Sequence, residues 1–473
     1  MSMSAESYEL VIPSYHTQPL KTGVVHLGFG AFHRAHQAYY FDRLAETPHG
    51  GDWGIACVNL RKEDASAFAA ATKALPYVLR SIASDGAVQD RKVGVHTGAY
   101  DWSVDAQQAE ALLASPDVAM VTITVSEAAY YFDGQGNLDA QHPAIHAELA
   151  DGAKTTVYAY LRAALTARMA AGGGKLTIAC CDNIRSNGDM LARNFGQYLE
   201  LIGDDEVAGW IAQNASFPNS MVDRITPKPP VIDVQELEAE IGCDLGPVIA
   251  AEDFVQWVIE DNFAGARPPL ELVGVTVTDD VEPYEETKIR VLNGGHTALT
   301  YMGALAGYET FDQAFVADDL NDHFGEFERQ EVLSSLPKDL PFDASEYLDT
   351  ISRRFRNQHI GDTVQRICGD GFAKFPIFIR PTLEGCFERG QTPTRAIRSI
   401  ASWVLFSRRM FNERMDFDYD EPNRDRLAPL ISSNSLDDFV ESEPLWGDLA
   451  HRFPAFKTEL EKQLELVEQK WPA

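Results

Sequence analysis

A lysine, an asparagine and a histidine stand at spacings of five and three in Glu285-Glu286-Thr287-Lys288-Ile289-Arg290-Val291-Leu292-Asn293-Gly294-Gly295-His296. On an α-helix, at about 100° per residue, the three side chains fall within an arc of roughly 140° over about two turns. One helix face then offers a base, an amide donor and an imidazole to a single small molecule. A solvated amphipathic helix with an ordinary Lys and a capping Asn would show the same trio. Two neighbours point to chemistry. Gly294-Gly295 lie inside the pattern, where each costs roughly 1 kcal/mol of helix stability and implies close approach of a ligand or another backbone. The flanking Val291, Leu292, Ala298, Leu299 and Tyr301 are apolar, and a lysine in such surroundings has a depressed pKa and can act as a base near neutrality.

The elements that must position such a site run through the first half of the chain. Val24 to Leu27 reads as a buried strand, Gly28-Phe29-Gly30 as a tight turn, and Ala31-Phe32-His33-Arg34 as the start of a helix reaching about Leu44. A strand delivered into a helix through glycines lets backbone N–H groups approach a pyrophosphate, although a plain strand-turn-helix has the same two glycines. His33 and His36 have no third ligand following them at metal spacing, so no metal is expected. Trp53 to Val58 is a second strand, and Glu63 and Asp64 after it can either bind adenosine ribose hydroxyls or charge a helix N-terminus. Arg61 and Lys62 beside them keep an NADP reading open. Tyr77 to Ile82 and Val88 to Thr97 read as strands of an insertion, and Val118 to Val125 and Leu176 to Cys181 as buried parallel strands. Asn183, at a strand's carboxyl end, is placed to donate toward a substrate oxygen. Asp223, next to Arg224, reads as a substrate contact or as half of a salt bridge; Arg366 and Lys374 flank an Asp370-Gly371 turn and alone would be surface charges. From Glu285 onward the periodicity is helical to the end.

A chain of 473 residues, 45% hydrophobic and 10% aromatic, can bury a large core and divides into two or three domains. The net charge of −31 argues against nucleic acid and anionic membranes as partners. The six cysteines show no metal-type spacing and read as reduced and buried, and the N-terminus shows no secretory pattern, so a cytoplasmic protein is expected.

Five motifs carry a resemblance. Gly28-Phe29-Gly30-Ala31-Phe32-His33-Arg34-Ala35-His36-Gln37, the Cys181-Asp182-Asn183 and Asn187-Gly188 run, Phe217-Pro218 with Met221-Val222-Asp223-Arg224, Lys288-x4-Asn293-x2-His296, and the Arg366 to Pro376 segment occur in the order and spacing of the polyol-specific long-chain dehydrogenases. This is the family of mannitol 2-dehydrogenase and fructuronate reductase. Ala129 departs from it where a glycine is expected, which questions the local backbone shape. The resemblance implies an α/β fold, with a Rossmann-type N-terminal domain carrying insertions (1–284), a mostly α-helical C-terminal domain (285–473), and a substrate cleft between them. It implies a metal-independent NAD(H) enzyme, monomeric or weakly oligomeric, that interconverts a hexitol and its 2-ketose. Fructuronate reductase and D-arabinitol 4-dehydrogenase are the alternatives. Lys288 would be the base, Asn183 and Asn293 the oxyanion donors, His296 a substrate-orienting imidazole and Glu285 a water gate or proton relay. Asp223, Arg366 and Lys374 would read the remaining hydroxyls. Gly28, Phe29, Gly30, Ala31, Phe32, His33, Arg34, Glu63, Asp64 and Asn183 would line the cofactor.

Overall fold

The computed structural model describes residues 10–17, 19–227, 238–239, 245–432 and 436–472. Cys243 lies outside the described residues; Cys57, Cys180, Cys181, Cys368 and Cys386 are buried and free. The chain forms two compact units, Met1–Ala83 with Ala87–Glu282, and Ser84–Gly86 with Pro283–Ala473. Among the described residues no helix is long and apolar enough to cross a membrane.

The first unit is built on a six-stranded parallel sheet of β1 (Thr22–Leu27), β2 (Gly54–Asn59), β3 (His96–Asp101), β4 (Met120–Ile123), β5 (Leu176–Cys180) and β6 (Ala215–Ser216), in the order β3-β2-β1-β4-β5-β6. This is the doubly wound order in which the chain reverses direction between β1 and β4, opening a crevice beyond their carboxyl ends. Every residue of β2, β4 and β5 is buried. Such continuous apolar runs are stable only with both faces covered. Val25, Val121 and Ile178 accordingly pack on one side with Tyr158, Leu161 and Leu191, while Val24, Met120 and Ala179 pack on the other with Phe41 and Leu44.

Tyr77–Ile82 and Val88–Val93 are the expected inserted strands; they pair antiparallel, in a second sheet with Leu10–Val11 and Val248–Glu252. The strand read as Val88 to Thr97 is divided, however. His96–Asp101 belongs to the main sheet as β3, a role its mixed composition hides, because as an edge strand it is only partly buried. The first helix also breaks earlier than its pattern suggests: Ala31–Ala35 ends at His36 (φ −116°, ψ −83°) and a second helix, Gln37–Ala45, follows. Ser220–Asp223 pairs with Gln256–Glu260 in a third small sheet, and Arg224 donates to the carbonyls of Glu252 and Ala35 and to Ser81 Oγ.

The second unit is helical. Its core gathers on Thr394–Phe411, which packs against Gly294–Ala306 and Ala455–Lys470, with Trp403 stacked on Phe375 at 4.3 Å. The start of Thr394–Phe411 lacks a side-chain cap of its own. Buried Glu331 supplies one from another helix, accepting the N–H groups of Arg395 (2.7 Å) and Ala396 (2.8 Å). Burial pushes the Glu331 carboxyl up to about 7. A carboxyl raised on folding favours the folded state fully below its unfolded pKa of about 4.3 and loses that contribution as pH rises through the folded value. Glu331→Gln keeps a neutral acceptor, so the wild type should lose melting temperature relative to this variant as pH is raised from about 4.3 to about 7, with no further divergence above that. Calorimetry across that range would check it, and parallel curves would refute it.

Candidate active site

The segment Glu282 to Ala306 is helical, but not uniformly so. Glu282–Thr287 is α-helical, Lys288–Asn293 is a π-helical turn, and Gly294–Ala306 is α-helical again. The arithmetic of an uninterrupted α-helix is therefore corrected. A π turn absorbs about one extra residue, so Asn293 lies roughly 40° from Lys288 and His296 roughly −20°, an arc of about 60° instead of about 140°. The trio is more tightly aligned than α-helical spacing predicts. Lys288 and Glu285 are buried, while Asn293 and His296 are half-buried. The close approach inferred at the glycines is made by the fold itself: a Cβ on Gly295 would meet the Phe324 ring at 2.8 Å and Glu328 Oε1 at 3.0 Å.

The His296 ring lies 4.6 Å from Phe311 and 4.3 Å from Phe355. Burial, then the positive charges of Arg366, Arg354 and Lys374, hold its pKa well below the usual value, so it is neutral and one ring nitrogen can accept. Arg366 and Lys374 thus belong to the neighbourhood of His296. They lie on Val364–Cys368 and Gly371–Phe378, either side of Asp370, whose φ is +55°. Asp362 takes one fork of Arg366, from Nε to Oδ1 at 2.5 Å and from Nη2 to the other oxygen. Lys374 Nζ donates to the Ile367 carbonyl at 2.9 Å, and burial lowers its pKa. Asp362 was missed by the reading of the sequence; its signal is the i,i+4 spacing to Arg366.

In the first unit, Gly28 turns the chain out of β1 with φ +105°, and a Cβ there would stand 2.3 Å from the Thr124 carbonyl. Only glycine fits both constraints. A Cβ on Gly30 would meet nothing within 4 Å, so that face of the loop is open to a ligand. The Arg34 guanidinium stands 5.2 Å over the Phe29 ring. Phe32 stacks on His36 at 5.0 Å, and Ala31 begins the short helix. Glu63 and Asp64 lie in an exposed turn leading into Ala65–Lys73, where both pair with Arg61, at 3.7 and 3.3 Å. Asn183 is exposed just beyond β5, and Asp223 is buried at the end of its strand. Ala129 sits in a 3₁₀ turn, Glu127–Tyr130; the positive φ values fall beside it, at Ser126 and Tyr131, so alanine is accommodated.

No third ligand follows His33 and His36 at metal spacing in the sequence, but the fold brings ligand-type groups to His33 from elsewhere in the chain. Cys57 and His96 join it, with ligand atoms within 4.8 Å of one another and His33 Nε2 3.1 Å from His96 Nε2. Metal-bound imidazoles ordinarily donate from the other nitrogen, yet the Nδ1 atoms of His33 and His96 have no partner among the described residues, and the Arg34 charge is close by. The cluster reads as packing beneath the loop.

Residues 22–272 match the mannitol dehydrogenase Rossmann domain, and residues 280–468 match the mannitol dehydrogenase C-terminal domain. The chain belongs to the mannitol dehydrogenase family. A relative in Ralstonia nicotianae named D-arabinitol 4-dehydrogenase is 35% identical over 91% of this chain and 93% of its own. A Gluconobacter oxydans relative named polyol:NADP oxidoreductase is 34% identical over 92% and 91%. The Pseudomonas fluorescens mannitol 2-dehydrogenase, solved as a ternary complex with NAD and D-mannitol, superposes with a TM-score of 0.85 at 34% identity, covering 98% of this chain and 95% of that one.

The two loop glycines differ in a measurable way. Gly30→Val should leave the melting temperature within about a degree while weakening NADH binding at least about tenfold, since its side chain enters only the open face. Gly28→Val should lower both stability and binding. Thermal melts with NADH fluorescence titration distinguish the two; tight NADH binding by the Gly30 variant would remove the loop from the cofactor site.

Proposed function

We propose that the chain is a metal-independent, NAD(H)-dependent polyol dehydrogenase that interconverts a hexitol and its 2-ketose, of the D-mannitol and D-fructose type. The carrying observation is the Asp362 carboxylate on Arg366. A uronate reductase needs an uncompensated cation for its substrate's carboxylate, commonly a bidentate arginine. Here Asp362 already fills one fork and offsets the charge, leaving Arg366 to donate to neutral hydroxyls. The net charge of −31 works in the same direction.

The loop from Gly28 to Arg34 fits a dinucleotide, with a glycine-enforced turn at the switch point and an open face at Gly30. Glu63 and Asp64 engage Arg61, which turns that cation away from an adenosine 2′-phosphate and favours NAD over NADP. Bound NAD(H) supplies the hydride acceptor or donor. Lys288, in its buried position, takes the proton of the reacting hydroxyl, and Glu285, one turn before it, relays that proton or gates water. Asn183 and Asn293 donate to the alkoxide-like oxygen, each contributing on the order of 3 kcal/mol as preorganised donors do. Neutral His296 accepts from a neighbouring hydroxyl and orients the substrate, while Asp223, Arg366 and Lys374 bind the remaining hydroxyls. The relative named for D-arabinitol keeps a pentitol as the second reading.

Without added metal, kcat/KM for NADH-dependent reduction of D-fructose should exceed that of D-fructuronate by about a hundredfold, and the reverse ratio would overturn the polyol reading. Activity confined to D-arabinitol oxidation would move the assignment to the pentitol. Asp362→Asn, which unmasks Arg366, should shift the fructose-to-fructuronate ratio toward fructuronate by about tenfold or more. Lys288→Ala should lower kcat by roughly 10²–10⁴-fold across the pH range; a kcat within tenfold of the parent at every pH would remove Lys288 from the role of base.

A further inference from the structure

The residue just before Asn183 does something that the roles above do not use. Asp182 stands at the end of β5 and reaches across to the segment following β4. Its Oδ2 accepts the Val125 N–H at 2.9 Å and the Tyr130 hydroxyl at 2.6 Å, and its Oδ1 accepts the Ser126 N–H at 3.1 Å. Ser126 has φ +79° and ψ 152°, a backbone region that is essentially reserved for glycine. Such a conformation persists only where surrounding bonds over-determine it, and three bonds to one carboxylate do so. Tyr130 is itself fixed: it is fully buried, and its carbonyl accepts the Tyr158 hydroxyl at 2.9 Å.

The place matters as much as the strain. β4 borders β1 across the topological switch point, so Val125 and Ser126 line the crevice in which a dinucleotide lies in this fold. In a trans peptide the carbonyl points opposite to the following N–H. Drawing the Ser126 N–H toward β5 therefore turns the Val125 carbonyl the other way, toward the β1 side. A fixed backbone acceptor there matches the carboxamide NH₂ of a nicotinamide, and holding that group sets which face of the ring is presented.

We propose that Asp182 is a positioning residue for the nicotinamide, acting through the Val125-Ser126 peptide that it locks in place. This rests on the reading of the crevice as a dinucleotide site, and the test separates the two. ADP-ribose carries the adenosine and pyrophosphate of NADH but no nicotinamide. If neither NADH nor ADP-ribose binds the wild type, the dinucleotide reading fails, and the proposal with it. If both bind, Asp182→Asn should weaken NADH about tenfold or more and leave ADP-ribose within about twofold. Placing Ser126→Gly in the Asp182→Asn background should restore part of the lost NADH affinity, because glycine reaches the same conformation without strain. Equal loss for both ligands, or loss for neither, would overturn the proposal, as would failure of Ser126→Gly to restore NADH selectively. Should Asp182→Asn not fold, Tyr130→Phe removes one of the three bonds and must shift NADH against ADP-ribose in the same direction; no selective shift would overturn it.

Discussion

The structure of the second unit turns on a local departure from α-helical hydrogen bonding. Between Lys288 and Asn293 the helix widens into a π turn, and by helical arithmetic that one change of pitch narrows the arc spanned by Lys288, Asn293 and His296 from about 140° to about 60°. A π turn is intrinsically unfavourable and survives where packing over-determines it. Here Gly295 allows Phe324, Glu328 and Phe355 to come within about van der Waals contact of the backbone just beyond the turn, and Phe355 is also one of the two rings against His296. A second π turn, Phe327–Val332, carries Glu328 and packs against the first. The π turn that carries Lys288 and the rings packed against His296 thus belong to the same packed layer.

The first unit solves a different problem. Its parallel sheet must be covered on both faces, which leaves only the carboxyl ends of the strands for ligand chemistry. The glycine turn after β1, the strained Ser126 after β4 and the Asp182-Asn183 pair after β5 all stand there. Strain at Ser126 is offset by a neighbouring carboxylate whose own desolvation is offset by three donors, so the cost of shaping the crevice is spread across two strand ends. Within a chain of large negative charge, Arg34, Arg366 and Lys374 are each fixed locally by a backbone carbonyl or a single carboxylate.

Much of this was legible in the residues. Apolar runs gave the strands from Val24, Trp53, Val118 and Leu176, and the inserted strands from Tyr77 and Val88 were read as such, the second with its end placed too late. The helical periodicity read from Glu285 onward is met by helices such as Ala344–Phe355, Thr394–Phe411 and Ala455–Lys470. The third strand of the main sheet was not visible, because an edge strand with one partner has no need of a continuous apolar run.

The sequence by itself determined the family, the order of the elements and the identity of the chemical groups, because these depend on local pattern and on motifs of contiguous residues. It also carried the tight turn at Gly28-Phe29-Gly30, which the structure makes with a positive φ at Gly28. Only the tertiary structure decided how those groups are tuned. That the helix widens into a π turn from Lys288 to Asn293 depends on side chains packed behind Gly295. That Arg366 is charge-compensated depends on where the turn before its helix places Asp362, and that Ser126 is held in a glycine-like conformation depends on a carboxylate 56 residues away in the chain. Pitch and strain are set by neighbours distant in sequence that no short window along the chain contains, whereas Asp362 and Arg366 lie four residues apart and only the geometry of their pairing needed the fold.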